Sequence, residues 1–351
     1  MGRRESFFSA MRRQGSEFIP FEFVLCPSLV EKFKAQTGRT DYEEYYDFPQ
    51  RNLYLPFVGD ATRFDGYFAD KTNLQINPVF GFGQRFCGVE HFSHMESPMM
   101  DAECEDFAKY PYPDAEKDFD WSALDAQIKS NLEKDYISVA PMEMTIFETA
   151  WYIRGMETFL MDMLAEPELA QLQLDNITHI RVKMAENYAK AGADVLRLGD
   201  DVATQLNMMM SPDIWRSMLK PRLKKVIDAA KSAKPDILIF YHGDGNMFEI
   251  LGDLIEIGVD ILNPIQPECM DPVKVKQTFG DRVSLWGCIG TQTTMPFGTP
   301  DEVEAVCTKL IKEVGKGGGL LLAPSHILEP EVKWENVEAF VKVVKSHNES
   351  C

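Results

Sequence analysis

The chain has no CxxC pair and no apolar run near the roughly 20 residues of a membrane span. It is also poor in positive charge: 36 Lys and Arg stand against 55 Asp and Glu, a net charge of −19. That balance argues against nucleic acid and anionic membranes as partners, because both draw positive charge. Seven cysteines (Cys26, Cys87, Cys104, Cys269, Cys288, Cys307 and Cys351) are scattered without a framework spacing. They read as reduced thiols in a cytoplasm. The opening MGRRESFFSAMRRQG lacks the long apolar centre and small-residue cleavage site of a signal peptide, and reads as a first amphipathic helix. A dinucleotide fingerprint is missing too. Gly81–Gly83 has no strand–turn–helix setting, and Lys316–Gly319 precedes a strand where a phosphate loop would follow one.

With 45% hydrophobic and 26% charged residues over 351 positions, the chain is long enough to bury a sizeable core. The C-terminal half alternates short runs rich in Val, Ile and Leu with helical stretches. AGADVLRLGDD, PDILIFYHGD, VDILNPIQ, RVSLWGCIG and GLLLAPSHI are the strand-like runs. Unalternating runs of this kind, separated by helices, predict a parallel sheet covered on both faces. Five βα units lie there. FIPFEFVLCPS fits a first strand and ISVAPMEMTIF another, ahead of a long helical stretch from about Glu148 to Gly192. Between about residues 50 and 120 the pattern is irregular and rich in aromatics, Gly and Pro. It reads as an inserted, lid-like segment around a second strand. The expected fold is an α/β protein, a (β/α)8 barrel formed by residues 1–351 as a single unit, with an N-terminal extension and the aromatic insert.

Chemistry sits where the strand-like runs stop. LIFYHGDGN (residues 238–246) ends in His242 and Asp244, SLWGC in Cys288, and LLLAPSH in His326. In a parallel barrel such strand ends build the active site. Together they offer N, S and O donors, a mix that zinc accepts with about three protein ligands and one open position. Asp244 would otherwise serve as a helix cap, and Cys288 as an ordinary core residue. Asp200 and Asp201 end another run. Adjacent residues point to opposite sides, so at most one of them faces a site, where it could act as a general acid.

The ordered succession RRESFFSAMRRQ…IPFEF, ISVAPMEMTIFETAWYIRG, HGDGN, GCIGT and LAPSHI…ENVEAF resembles the uroporphyrinogen decarboxylase superfamily over nearly the whole chain. The resemblance is loosest between about residues 50 and 120, and it implies the same barrel. The superfamily's decarboxylases hold a porphyrin with an Arg-rich loop after the first strand. Here FEFVLCPSLVEKF has no Arg, and a tetra-acidic substrate would meet Glu22 and Glu31. Its corrinoid-dependent methyltransferases carry zinc on a His-x-Cys pair after the fifth strand and a Cys after the eighth. The corresponding places hold His242, Asp244 and His326, so the histidine matches and both thiolates are replaced.

Harder ligands suit polarisation of an ether oxygen. The resemblance therefore implies an anaerobic O-demethylase component that moves a methyl group from a methoxylated aromatic to Co(I) corrinoid on a partner protein, with zinc as Lewis acid. Phe86 and Phe92 of the insert would cover the substrate. No Asp-x-His-x-x-Gly corrinoid motif is present, so the cofactor would sit on another chain. Alternatives are methyl transfer from a methyl-corrinoid to a thiol, porphyrinogen decarboxylation, and an inactive paralogue that binds a corrinoid protein. A homodimer is left open.

Overall fold

In the computed structural model, which describes residues 2–88 and 93–351, seven parallel strands form one curved sheet. In chain order they are β1 (Gln50–Asn52), β5 (Ile137–Glu143), β6 (Val195–Gly199), β7 (Leu238–His242), β8 (Ile261–Asn263), β9 (Ser284–Ile289) and β10 (Leu320–Pro324). They lie side by side in that same order. Between β1 and β5, the strands β2 (Leu74–Ile76), β3 (Gly83–Phe86) and β4 (Ser93–Glu96) make a separate antiparallel sheet. The five C-terminal βα units fall where the sequence places them. Ser211 accepts a hydrogen bond from the Ile214 N–H, with Pro212 at the first helical position, as its pattern predicts.

The expected first strand is present only as an extended segment. It pairs with β10 through Phe21 and Leu322, and with the following residues through Leu25 and Leu328. Pro20 has no N–H to donate and contributes its carbonyl to Leu322. Side chains bridge the seam to β1: the Gln50 amide donates to the Glu22 carboxylate, and Phe21 meets Phe48 edge-on at 5.5 Å. With this segment in the eighth position the sheet is a TIM-type α/β barrel. The helical stretch after β5 is three helices, Phe147–Arg154, Met156–Ala165 and Pro167–Ala191. Gly155, at φ +91°, breaks the first boundary. Pro167 sets the second by pushing Glu166 out of helical geometry.

The barrel has an inner and an outer apolar layer. Inside, Ile137, Val139, Val195, Leu238, Phe240, Ile261, Trp286, Leu321 and Ala323 pack with Phe7, Ala10 and Met11. The last three belong to the first helix, Arg3–Met11, which therefore plugs the end where the strands begin. Arg4 latches it with a two-pronged bond to Asp194, at 2.6 and 2.8 Å. Met11 O accepts from Ser284 Oγ at 2.7 Å. The insert is no loose cover: Phe64, Phe80, Phe82, Phe107 and Tyr110 join the outer core. Among the described residues no helix is long and apolar enough to cross a membrane.

The plug should carry measurable stability. Phe7 is fully buried edge-on to Trp286, 6.1 Å between centroids. Phe7→Ala is expected to cost about 3–5 kcal/mol, read as a lower urea midpoint with an unchanged slope.

Candidate active site at the carboxyl ends of the strands

Because every strand runs the same way, the residues following β5 to β8 and β10 converge at one mouth. Asp201, His242 and Asp244 each offer a ligand atom, all within 4.8 Å of one another. His326 joins from the end of β10, its Nε2 3.9 Å from Asp244 Oδ2. The four come from three strand ends, which explains their separation in sequence.

Local geometry fixes each of them. Gly199, opposite His242 in the β6–β7 register, leaves room for it: a Cβ at Gly199 would lie 2.6 Å from the His242 Cβ. Gly245 sits at φ +87° against the Thr204 carbonyl, 2.4 Å from where its Cβ would be. Only glycine allows the chain to turn there and present Asp244. His242 Nδ1 is 2.6 Å from Asn263 Oδ1. The Asn263 amide nitrogen donates to Trp286 O at 3.0 Å, so its oxygen must face the histidine and accept from Nδ1–H. That leaves Nε2 as a lone-pair donor toward the carboxylates, with Asp201 Oδ1 3.8 Å away. Histidines that bind metals are oriented in this way. Burial works to lower the His242 pKa, but the Asp244 and Asp201 carboxylates and the Asn263 bond outweigh it and hold the imidazole above its usual value. Burial raises Asp244 against the pull of His242.

The two acids after β6 divide as adjacent residues must. Asp201 faces the cluster, and its Oδ1 accepts from the Asp244 N–H at 2.8 Å. Asp200 turns away and is 4% exposed. Its carboxylate accepts the backbone N–H groups of Ile146, at 3.1 Å, and Glu148, at 3.0 Å. Burial pushes its pKa up to about 7 against those bonds and the nearby Arg181. Asp200 thus holds the start of the helix Phe147–Arg154 in place and does not reach the mouth. That helix supplies Glu148, whose Oε2 accepts from the Asp201 N–H at 3.1 Å. Burial first, then Asp201 and Asp200, push the Glu148 pKa up.

Cys288 does not join this group. Gly287 (φ +121°) and Cys288 (φ +82°) reverse the strand's alternation. The thiol is turned into the outer apolar layer, beside Val306 and Leu310, where burial raises its pKa. Phe86 is 57% exposed at the end of β3 and lines none of the mouth cavities. Phe92 lies outside the described residues. The aromatic lining comes instead from Phe240, in a cavity of about 220 Å³, and from Phe297, in an outer basin of about 580 Å³. The two share Ser325, His326 and Ile327.

Sequence reasoning missed Asn263, Glu148 and Arg197, and gave Glu22 no role at the mouth. Arg197 carried a signal, being a charge in the middle of the apolar run VLRLG. Asn263 and Glu148 carried none, since polar residues flanking strands and helices are ordinary.

The fold and the mouth together define the class: an α/β barrel whose strand ends gather histidine and carboxylate groups that could hold a metal ion. Residues 74–347 match the family described as uroporphyrinogen decarboxylase (URO-D), and the chain belongs to that family. It is 30% identical over 187 residues to the methylcobamide:CoM methyltransferase MtaA of Methanosarcina barkeri, covering 53% of this chain and 52% of that protein. It is 28% identical over 190 residues to the uroporphyrinogen decarboxylase of Chlorobium limicola, covering 53% and 51%. The chain thus spans about half the length of the curated relatives it matches. A methyltransferase from Methanosarcina mazei shares the fold across 99% of both chains, with a TM-score of 0.66 at 20% identity.

The donor set fits a borderline or hard divalent ion: imidazole nitrogen and carboxylate oxygen, with no thiolate among the described residues of the cluster. Asn263→Ala should weaken zinc binding roughly 10–100-fold by freeing the His242 ring, measured by competition with a chromogenic chelator. The buried Cys288 should resist iodoacetamide in the native protein and react only on unfolding, while exposed Cys87 and Cys104 react first. Peptide mapping checks this.

Proposed function

We propose that this protein is a corrinoid-dependent methyltransferase that takes the methyl group of a methoxylated aromatic compound and delivers it to the Co(I) corrinoid of a partner protein. The observation that supports this most is the thiolate-free cluster Asp201, His242 and Asp244 at the barrel mouth, in a family that includes both methyltransferases and decarboxylases. An aryl methyl ether is a poor methyl donor because phenolate leaves reluctantly, so charge developing on the ether oxygen must be stabilised. A divalent cation such as zinc, held by His242 and Asp244 with Asp201 or His326, would supply that stabilisation as a Lewis acid.

The chain's own residues do the rest. Asn263 fixes the His242 ring. Phe240 walls the inner cavity and keeps water from the ring of the substrate. Glu148 accepts the Asp201 N–H and holds that residue in place at the mouth. In the balance, the C–O bond breaks with its electron pair left on oxygen, Co(I) supplies the pair for the new Co–C bond, and the phenolate takes up one proton. The outer basin, wide and open above the cluster, leaves room for a corrinoid to approach from outside.

A second reading is methyl transfer from a methyl-corrinoid to a thiol, favoured by the likeness to the methylcobamide:CoM methyltransferase MtaA. The two part on acceptor and metal chemistry, since thiol activation favours softer ligands than this cluster offers.

An anaerobic visible spectrum of Co(I) corrinoid, taken with the zinc-loaded protein and a panel of methoxyaromatics, tests the first reading. Conversion to methyl-Co(III) is expected with an ether donor and should be lost in His242→Ala. Demethylation of methylcobalamin by a thiol, with no reaction of any ether, would move the assignment to the second.

A further inference from the structure

Below the cluster, the inner wall of the barrel carries one arginine whose hydrogen-bonding capacity is unspent. Three other buried arginines are well partnered. Arg154 donates to Asp162 and to the carbonyls of Met99, Met100 and Ala102. Arg181 donates to the carbonyls of Thr145 and Met144. Arg222 donates to Asp175 and Met218 O. Arg197 differs. Its Nε is buried without a hydrogen-bond partner, and its guanidinium donates to none of the described residues. Only an ion-pair contact remains, 3.4 Å from Nε to Glu143 Oε1. Such groups are rare in folded proteins and call for a ligand or water.

The guanidinium lies against the rings of Phe240 and Trp286, its Cζ 5.2 and 5.9 Å from their centroids. It faces the cavity of about 220 Å³, room for one substituted ring. Glu22, on the same wall, does not quench it by hydrogen bonding. Its two oxygens are taken by Trp286 Nε1, at 2.6 Å, and by the Gln50 amide, and burial raises its pKa against the opposing pull of the Arg197 charge.

Arg197 is level with Phe240, and His242 with Gly199, in the β6–β7 register, and Arg197 and His242 line this one cavity.

We propose that Arg197 anchors a ring carboxylate, so that the methyl donor is a methoxybenzoate whose ether oxygen reaches the His242 cluster. This rests on the proposed O-demethylation but concerns binding, which can be measured without it. A guanidinium takes both oxygens of a carboxylate in a planar fork, whereas an ammonium meets them as a point charge. The two aromatic walls hold the ring between cluster and anchor.

The test is calorimetric or Trp-fluorescence titration of the metal-loaded protein, without corrinoid, using 4-methoxybenzoate, its methyl ester and 4-methoxybenzylamine. The carboxylate should bind at least about tenfold tighter than the ester, the scale of a hydrogen bond to a charged group. Arg197→Gln should erase that preference, and Arg197→Lys should restore part of it; thermal melting establishes that both variants fold. Equal binding of acid and ester by the wild type, a preference that survives Arg197→Gln, or tighter binding of the amine would each overturn the anchor. If the preference holds but no methyl reaches Co(I) corrinoid from 4-methoxybenzoate, the anchor stands and the O-demethylation reading falls. If neutral methoxybenzenes react as well as the acid, with equal KM in wild type and Arg197→Gln, the reading stands and the anchor falls.

Discussion

Carboxylates crowd the mouth of this barrel, and much of the local structure answers to their mutual repulsion. Asp200, Asp201, Asp244 and Glu148 are brought together by a sheet whose strands all end on one side. Like charges this close raise one another's pKa values unless something opposes them. Each acid has a different answer. Asp200 is met by the backbone amides of residues 146 to 148 and by Arg181. Glu148 accepts the Asp201 amide and is pushed toward its neutral form. Asp201 and Asp244 are left facing two imidazoles, an arrangement that a divalent cation would complete.

The two ends of the barrel are thus built on different physics. At the end where the strands start, the first helix fills the interior with Phe7, Ala10 and Met11, and its arginine is tied to Asp194 in a compact ion pair. At the other end polar groups outnumber their partners, and Arg197 stands without a hydrogen bond in a cavity between the aromatic walls. Apolar closure below and unspent polarity above give the barrel a rigid floor and a reactive mouth, the usual division of labour in this architecture.

Much of the fold was legible in the chain. Runs of Val, Ile and Leu without alternation announced buried parallel strands, and the five C-terminal βα units lie where that pattern puts them. His242, Asp244 and His326 stood out as polar residues at the ends of such runs, a signal shared by Asp200 and Cys288, which turn away from the mouth. The first strand was read as a strand, yet it makes only isolated bridges, since Pro20 interrupts the donor row. The insert looked like a cover. Several of its aromatics are core instead, with Phe64 and Phe82 almost fully buried, while Phe86 stays exposed.

What the sequence by itself determined was the periodicity, and with it the barrel and the strand ends that carry chemistry. Tertiary structure alone decided which side chains meet there. Parity along a strand selects Asp201 over Asp200, but only the packing of the helix Phe147–Arg154 shows what Asp200 does. Two left-handed residues at Gly287 and Cys288 send the thiol outward, and no composition or spacing reveals a backbone inversion of that kind. Asn263 orients His242, and Arg197 lies two residues below it, through register between strands far apart in the chain. Register is set by the closure of the whole sheet, so these partnerships exist only once the barrel has formed.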